Sequence, residues 1–129
     1  MKKLVFKIDV DLDEIYEVKG ETGSACMILF HGSAKGECFN GKILPGGVDT
    51  QKQPKGEEKI LSARYILEGK DENGDECRVF VENNSIPGTK QTKPMIYTDS
   101  KVLKWLETAD LCGEIGSKKG GVIISIFEK

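Results

Sequence analysis

The chain has 129 residues, 38 % of them hydrophobic and 31 % charged, with a formal net charge of -2. A chain of this length suits one domain, here 1–129, and can bury a core without metal or disulfide staples. Lysines and acids are interspersed, which excludes the clustered positive charge of nucleic-acid binders, and no stretch approaches the ~18 apolar residues of a membrane helix.

Leu4 to Val10 alternates apolar Leu4, Phe6, Ile8 and Val10 with Lys7 and Asp9, the period of a half-buried strand. The same alternation after Met1-Lys2-Lys3 leaves no apolar leader core, so a cytoplasmic location is expected. Asp11-Leu12-Asp13 is expected to break the strand, with Ile15 to Val18 continuing it or starting another. After the turn signals Gly20 and Gly23, Ala25 to His31 reads as a strand. Phe39 and Ile43-Leu44 lie in a glycine-punctuated stretch that ends at Pro45-Gly46-Gly47, because Pro45 lacks an amide donor and glycine accepts positive φ. Thr50 to Glu58 is polar, holds Pro54 and Gly56, and reads as a surface loop.

Ile60 to Glu68 and Glu76 to Glu82 form the clearest unit, two strand-length runs joined through Asn73-Gly74, a tight-hairpin dipeptide. Asn83 to Lys93 reads as a second polar loop and Pro94 to Tyr97 as a short strand. Asp99 to Thr108 is the one helical candidate, capped by Asp99 or Ser100, with Val102, Leu103 and Leu106 on one face and Trp105 beside it. Val122 to Phe127 is the last strand. The fold class that follows is all-β and mainly antiparallel: a small closed or nearly closed β-barrel with at most one short helix near 99–108.

Most familiar motifs fail on their own requirements. Gly36 to Lys42 has the spacing of a phosphate-binding loop, but Ile43 stands where Ser or Thr must hold magnesium, and Pro45-Gly46-Gly47 precludes the following helix. Asp71, Asn73, Asp75 and Glu82 mimic a calcium loop, yet Glu76 occupies the place that needs glycine. His31 is the only histidine, and Cys26, Cys38, Cys77 and Cys112 show no Cys-x-x-Cys spacing, so reduced thiols and neither a metal nor a cofactor are expected.

One constellation survives. Asp49 follows Ile43-Leu44-Pro45-Gly46-Gly47-Val48, and Arg64 interrupts an apolar strand in which Leu61, Ala63, Tyr65 and Leu67 share the other face. An arginine pointing inward would need an anion such as Asp49 or Glu82, since an unpaired buried charge is very costly. Asn40 to Asp49, Ala63-Arg64-Tyr65, Pro94-x-x-x-Thr98 and Trp105-Leu106 together resemble a widespread bacterial and fungal family of small β-barrel proteins, known only as a domain of unknown function. The resemblance implies the barrel and a polar cluster at Asp49 and Arg64, and no established reaction.

Three readings stay open. In the first, the barrel encloses a small organic substrate for a cofactor-independent isomerase, cyclase or lyase. Asp49 and Arg64 would be catalytic, with Tyr65, Glu82, Tyr97 and Trp105 as ligand contacts. In the second, the same barrel binds a small molecule without chemistry. In the third, Asp49 and Arg64 form a buried strut in a homo-oligomeric barrel.

Overall fold

The computed structural model describes residues 2–129. Nine antiparallel strands follow in chain order: β1 (Lys3–Lys19), β2 (Gly23–Lys35), β3 (Phe39–Ile43), β4 (Val48–Pro54), β5 (Ile60–Asp71), β6 (Glu76–Ser85), β7 (Gln91–Thr98), β8 (Leu111–Lys118) and β9 (Gly121–Glu128). Strand β1 pairs with β9 on one side and β2 on the other, so the sheet returns on itself. Between β2 and β5, one position in the ring is shared: β3 fills one end of it and β4 the other. The all-β barrel expected from the sequence is the observed fold. No helix among the described residues is long and apolar enough to cross a membrane.

Five features differ from expectation. The acids at Asp11 and Asp13 do not end β1. Its register against β2 shifts between Leu12 and Ile15, and that extra residue lets the strand run on with its faces exchanged. The polar stretch from Thr50 is no loop as far as Pro54, because β4 is hydrogen-bonded on both sides and Asp49 and Gln51 face the lumen. The second expected loop is a hairpin: β6 extends to Ser85 and β7 begins at Gln91. The expected helix contracts to one 3-10 turn, Lys104–Glu107, and β8, where Gly113 and Gly116 dilute the alternation, is a further strand.

Gly32 and Gly74 are among the glycines that geometry requires. At Gly32 (φ +148) a Cβ would lie 1.9 Å from the carbonyl oxygen of Asp9, where β1 crosses β2. Gly74 (φ +81) closes the β5–β6 turn, in which the Asp71 carboxylate accepts the backbone N–H groups of Asn73 and Asp75 and the Ser100 hydroxyl. The apparent calcium ligand is thus a turn acceptor.

The lumen is filled at one end only. Phe6 and Phe39 meet there at 6.0 Å between ring centroids, with Ile8, Leu67, Val79 and Ile126 fully buried around them. Leu103 and Leu106, from the segment carrying the 3-10 turn, are buried in the same core. The opposite end stays open.

Candidate functional site in the barrel mouth

Strand register builds the site. On the lumenal face of the open end Ile28, Asp49, Ala63 and Asn83 stand directly opposite one another on β2, β4, β5 and β6. The next row toward the rim contains Cys26, Gln51 and Leu61. Thr92 of β7 lies opposite Ser85 and Gly113. Side chains along a strand alternate faces, so Asp49 and Gln51 enter together while Val48 and Thr50 turn away.

Asp49, Gln51, Asn83 and Thr92 line a cavity of ≈ 290 Å³, whose walls are otherwise apolar, including Val10, Leu12, Phe30, Ile115 and Ile124. Ala63 is the small residue between Asp49 and Asn83, which are two strand spacings, roughly 10 Å, apart along the sheet. Its methyl group leaves room between the two polar side chains.

Asp49 is half-buried, and burial pushes its carboxyl above the ordinary aspartate value. The Gln51 amide, donating from Nε2 to Oδ2 at 2.8 Å, and the charge of Lys59 pull it partly back. No lysine or arginine is among the lining residues. Asn83 and Thr92 are both buried, and Asn83 Oδ1 and Thr92 Oγ1 have no hydrogen-bond partner among the described residues. Gly113 makes room for that pair: a Cβ there would meet Thr92 Oγ1 at 2.2 Å.

Below the cavity Tyr65 packs edge-on against Phe30, with ring centroids 5.5 Å apart. Its hydroxyl is buried without a partner among the described residues, and burial drives the phenol far above its usual value.

The expected contact between Asp49 and Arg64 is not formed. Ala63 is the residue opposite Asp49, so Arg64, opposite Val48, emerges on the outer face. Its Nε lies 3.2 Å from Glu82 Oε1 in a pair whose arginine side chain is 60 % exposed. The strut reading loses its strut. Glu82 is therefore also external, where it accepts from Asn84 Nδ2 at 3.0 Å. Tyr97 stacks on Phe80 on the outside of the barrel. Trp105 borders a different cleft with Val5, Cys38 and Glu72, toward the filled end. Of the six residues singled out from the sequence, Asp49 lines the cavity, Tyr65 underlies it, and four lie elsewhere.

Gln51, Asn83 and Thr92 were not anticipated. A signal for Asn83 existed: Val79, Val81 and Asn83 continue one lumenal face of β6, so period-two extension past Glu82 points it inward. His31 sits on the outer surface, its Nδ1 2.8 Å from Asp13 Oδ1, and the acid raises its pKa. It forms no catalytic pair with Cys38, whose thiol is directed to the Val5 carbonyl.

Comparison with known proteins agrees with this architecture. A family model described as a protein of unknown function (DUF3237) matches residues 2–86. A UPF0311 protein of Clostridium acetobutylicum is 41 % identical over 59 residues, 45 % of this chain and 34 % of that relative, so the match spans about a third of the relative's length. The crystal structure of a protein with unknown function from Clostridium acetobutylicum superposes with a TM-score of 0.82 at 24 % identity, covering 99 % of this chain and 95 % of that one. An enzyme from Penicillium herquei gives 0.78 at 12 % identity, covering 99 % and 92 %. At these identities the structural likenesses establish the fold.

Proposed function

The chain belongs to the DUF3237 family of proteins of unknown function, and we propose that its barrel mouth binds an uncharged small organic molecule on which Asp49 moves a proton. The reaction class is cofactor-independent isomerisation, cyclisation or elimination.

The observation that carries this reading is the state of Asp49: a carboxyl raised by burial, in an apolar cavity whose lining contains no cation. An aspartate paired with arginine is a weak base, because the positive charge stabilises its ionised form. With Arg64 outside, that objection disappears. Gln51 fixes one carboxylate oxygen by donating to Oδ2, which leaves the other to accept a proton from carbon or hydroxyl.

In isomerisation Asp49 would take a proton from a carbon beside a carbonyl, the electron pair would move onto oxygen, and the same proton would return to another carbon. In cyclisation it would deprotonate a hydroxyl whose oxygen adds to a carbon–carbon double bond, and the proton would return to the neighbouring carbon that takes up the electron pair. In elimination the C–H electron pair would become a double bond while the β leaving group departs with its own pair and takes the proton from Asp49. No electron acceptor is required in any of these. The Asn83 amide and Thr92 hydroxyl are placed to hold an oxygen of a molecule lying across Ala63. The absence of a lining cation argues against carboxylates and phosphates as ligands, since their charge would enter the cavity unpaired. That a protein of this fold from Penicillium herquei is described as an enzyme fits the reading.

Native mass spectrometry after incubation with a cell extract tests binding, and chromatography and NMR of the released ligand test turnover, because isomerisation and cyclisation leave the mass unchanged. Wild-type protein should turn over a neutral small molecule that Asp49→Asn binds and leaves unaltered. The same unaltered molecule on both proteins would leave a binding barrel without chemistry, and no adduct on either would contradict the proposal.

A further inference from the structure

Asn83 and Thr92 are each only 4 % exposed, yet Asn83 Oδ1 and Thr92 Oγ1 bond to nothing among the described residues, not even to each other. They are diagonal neighbours: Asn83 of β6 stands opposite Pro94, and Thr92 lies two residues along β7 on the same face. A Cβ at Gly113 would lie 2.2 Å from Thr92 Oγ1 and 3.4 Å from both Oδ1 and Nδ2 of Asn83. Hydroxyl and amide therefore border one small space, and both residues line the cavity of the barrel mouth. Buried polar groups in folded proteins are nearly always bonded, because an orphan keeps its full desolvation cost. Two orphans facing one cavity call for a partner from outside the chain.

Donors and acceptors say what that partner is. Asn83 Oδ1 only accepts and needs a proton offered to it, whereas Thr92 has a proton to offer. A ketone, ester or ether oxygen takes the threonine proton and leaves Asn83 Oδ1 bare. A single hydroxyl does both, accepting from Thr92 Oγ1 and donating to Asn83 Oδ1. Water can make the same two bonds, so a ligand group displaces it without loss only by reproducing them. We infer that the substrate is a neutral alcohol whose hydroxyl is held between Asn83 and Thr92 as a recognition group. This rests on the barrel mouth being the ligand site, and not on proton transfer by Asp49.

The held hydroxyl is not the group that reacts. Ala63 stands between Asn83 and Asp49, which are two strand spacings, roughly 10 Å, apart along the sheet. The alcohol is anchored at Asn83 while Asp49 works at the other end of an apolar skeleton that crosses Ala63. Fixing the far end orients the reacting end. At ≈ 290 Å³ the cavity lies at the small end of ligand pockets, which suits a compact skeleton.

Two rigid probes of one carbon skeleton test the assignment: borneol, an alcohol, and camphor, the corresponding ketone. Each is titrated into the full chain and followed by NMR through the methyl groups of Ala63, Ile115 and Ile124, which line the cavity. The wild type should bind borneol about tenfold or more tightly than camphor, since camphor leaves Asn83 Oδ1 unpaired. Asn83→Leu should erase that preference by weakening borneol alone. Thr92→Val should weaken both probes and keep the preference, because both accept the threonine proton. Asp49→Asn should keep it too. Each substitution at Asn83 or Thr92 removes an orphaned group, so melting temperatures should not fall. A preference that survives Asn83→Leu, or one that is lost in Asp49→Asn, overturns the inference. Camphor bound by the wild type as tightly as borneol, the result of an amide turned to present Nδ2, overturns it while leaving the cavity a ligand site. Binding of neither probe overturns both the inference and the reading beneath it.

Discussion

Replacing Thr92 with valine should make the empty protein more stable and the site worse. Thr92 is buried, and its Oγ1 has no hydrogen-bond partner among the described residues. Valine keeps the branched shape and exchanges the hydroxyl for a methyl group. A buried polar group without a partner carries a desolvation penalty of about 1–3 kcal/mol. The added methyl must still fit against Gly113, where Thr92 Oγ1 lies 2.2 Å from the place a Cβ would take. Crowding there offsets part of the gain, leaving about 1–2 kcal/mol of net stabilisation. For a domain of this length that is a rise in melting temperature of roughly 3–8 °C. Urea denaturation at neutral pH should move the midpoint upward with the slope unchanged, because the surface exposed on unfolding is the same. Binding of the cavity ligand should weaken, a trade between stability and activity common at functional sites. A loss of 1 kcal/mol or more in Thr92→Val would refute this reasoning, since it would mean the hydroxyl makes a bond that stabilises the fold.

Tyr65→Phe removes the other orphaned hydroxyl, below the cavity, and should likewise leave stability unchanged or raise it by about 1 kcal/mol in the same denaturation assay. Arg64→Ala breaks only an exposed pair with Glu82 and should cost about 0–1 kcal/mol, with ligand binding by titration calorimetry unaffected. Gly32→Ala would place a Cβ 1.9 Å from the Asp9 carbonyl at a φ of +148 and should cost more than about 2 kcal/mol, seen as a large drop in melting temperature or in soluble yield.

Much of the barrel was legible because half-buried strands declare themselves by alternation. Phe6, Ile8 and Val10 in β1, and Leu61, Ala63, Tyr65 and Leu67 in β5, read correctly for that reason. The strands taken for loops were missed because the lumen is polar at one end. Asp49, Gln51 and Asn83 are lumenal yet hydrophilic, so the segments carrying them look like surface loops when hydrophobicity is the only guide. The position of Arg64 was decidable from parity within β5. Its partner was not, because that depends on whether Ala63 or Arg64 stands opposite Asp49, a register fixed by long-range pairing. The bulge near Asp13 was hidden for a similar reason, since one extra residue reverses the faces without altering composition. The expected helix failed because Leu103 and Leu106 satisfy the barrel end with a single turn.

Titration of the Asp49 side-chain carboxyl carbon by NMR, in wild type and in Arg64→Ala, bears most directly on the role given to this residue. A half-buried acid whose burial outweighs the Gln51 hydrogen bond and the charge of Lys59 should titrate above the ordinary value of about 3.9. Removing Arg64 should leave its midpoint in place, and proton-transfer activity should rise with pH through that midpoint as the base form appears. Stability from this group runs the opposite way, present at low pH and lost as pH climbs through the raised midpoint. A midpoint at or below 3.9, or one that moves upward in Arg64→Ala, would mean that Asp49 is an ion-paired strut and no base.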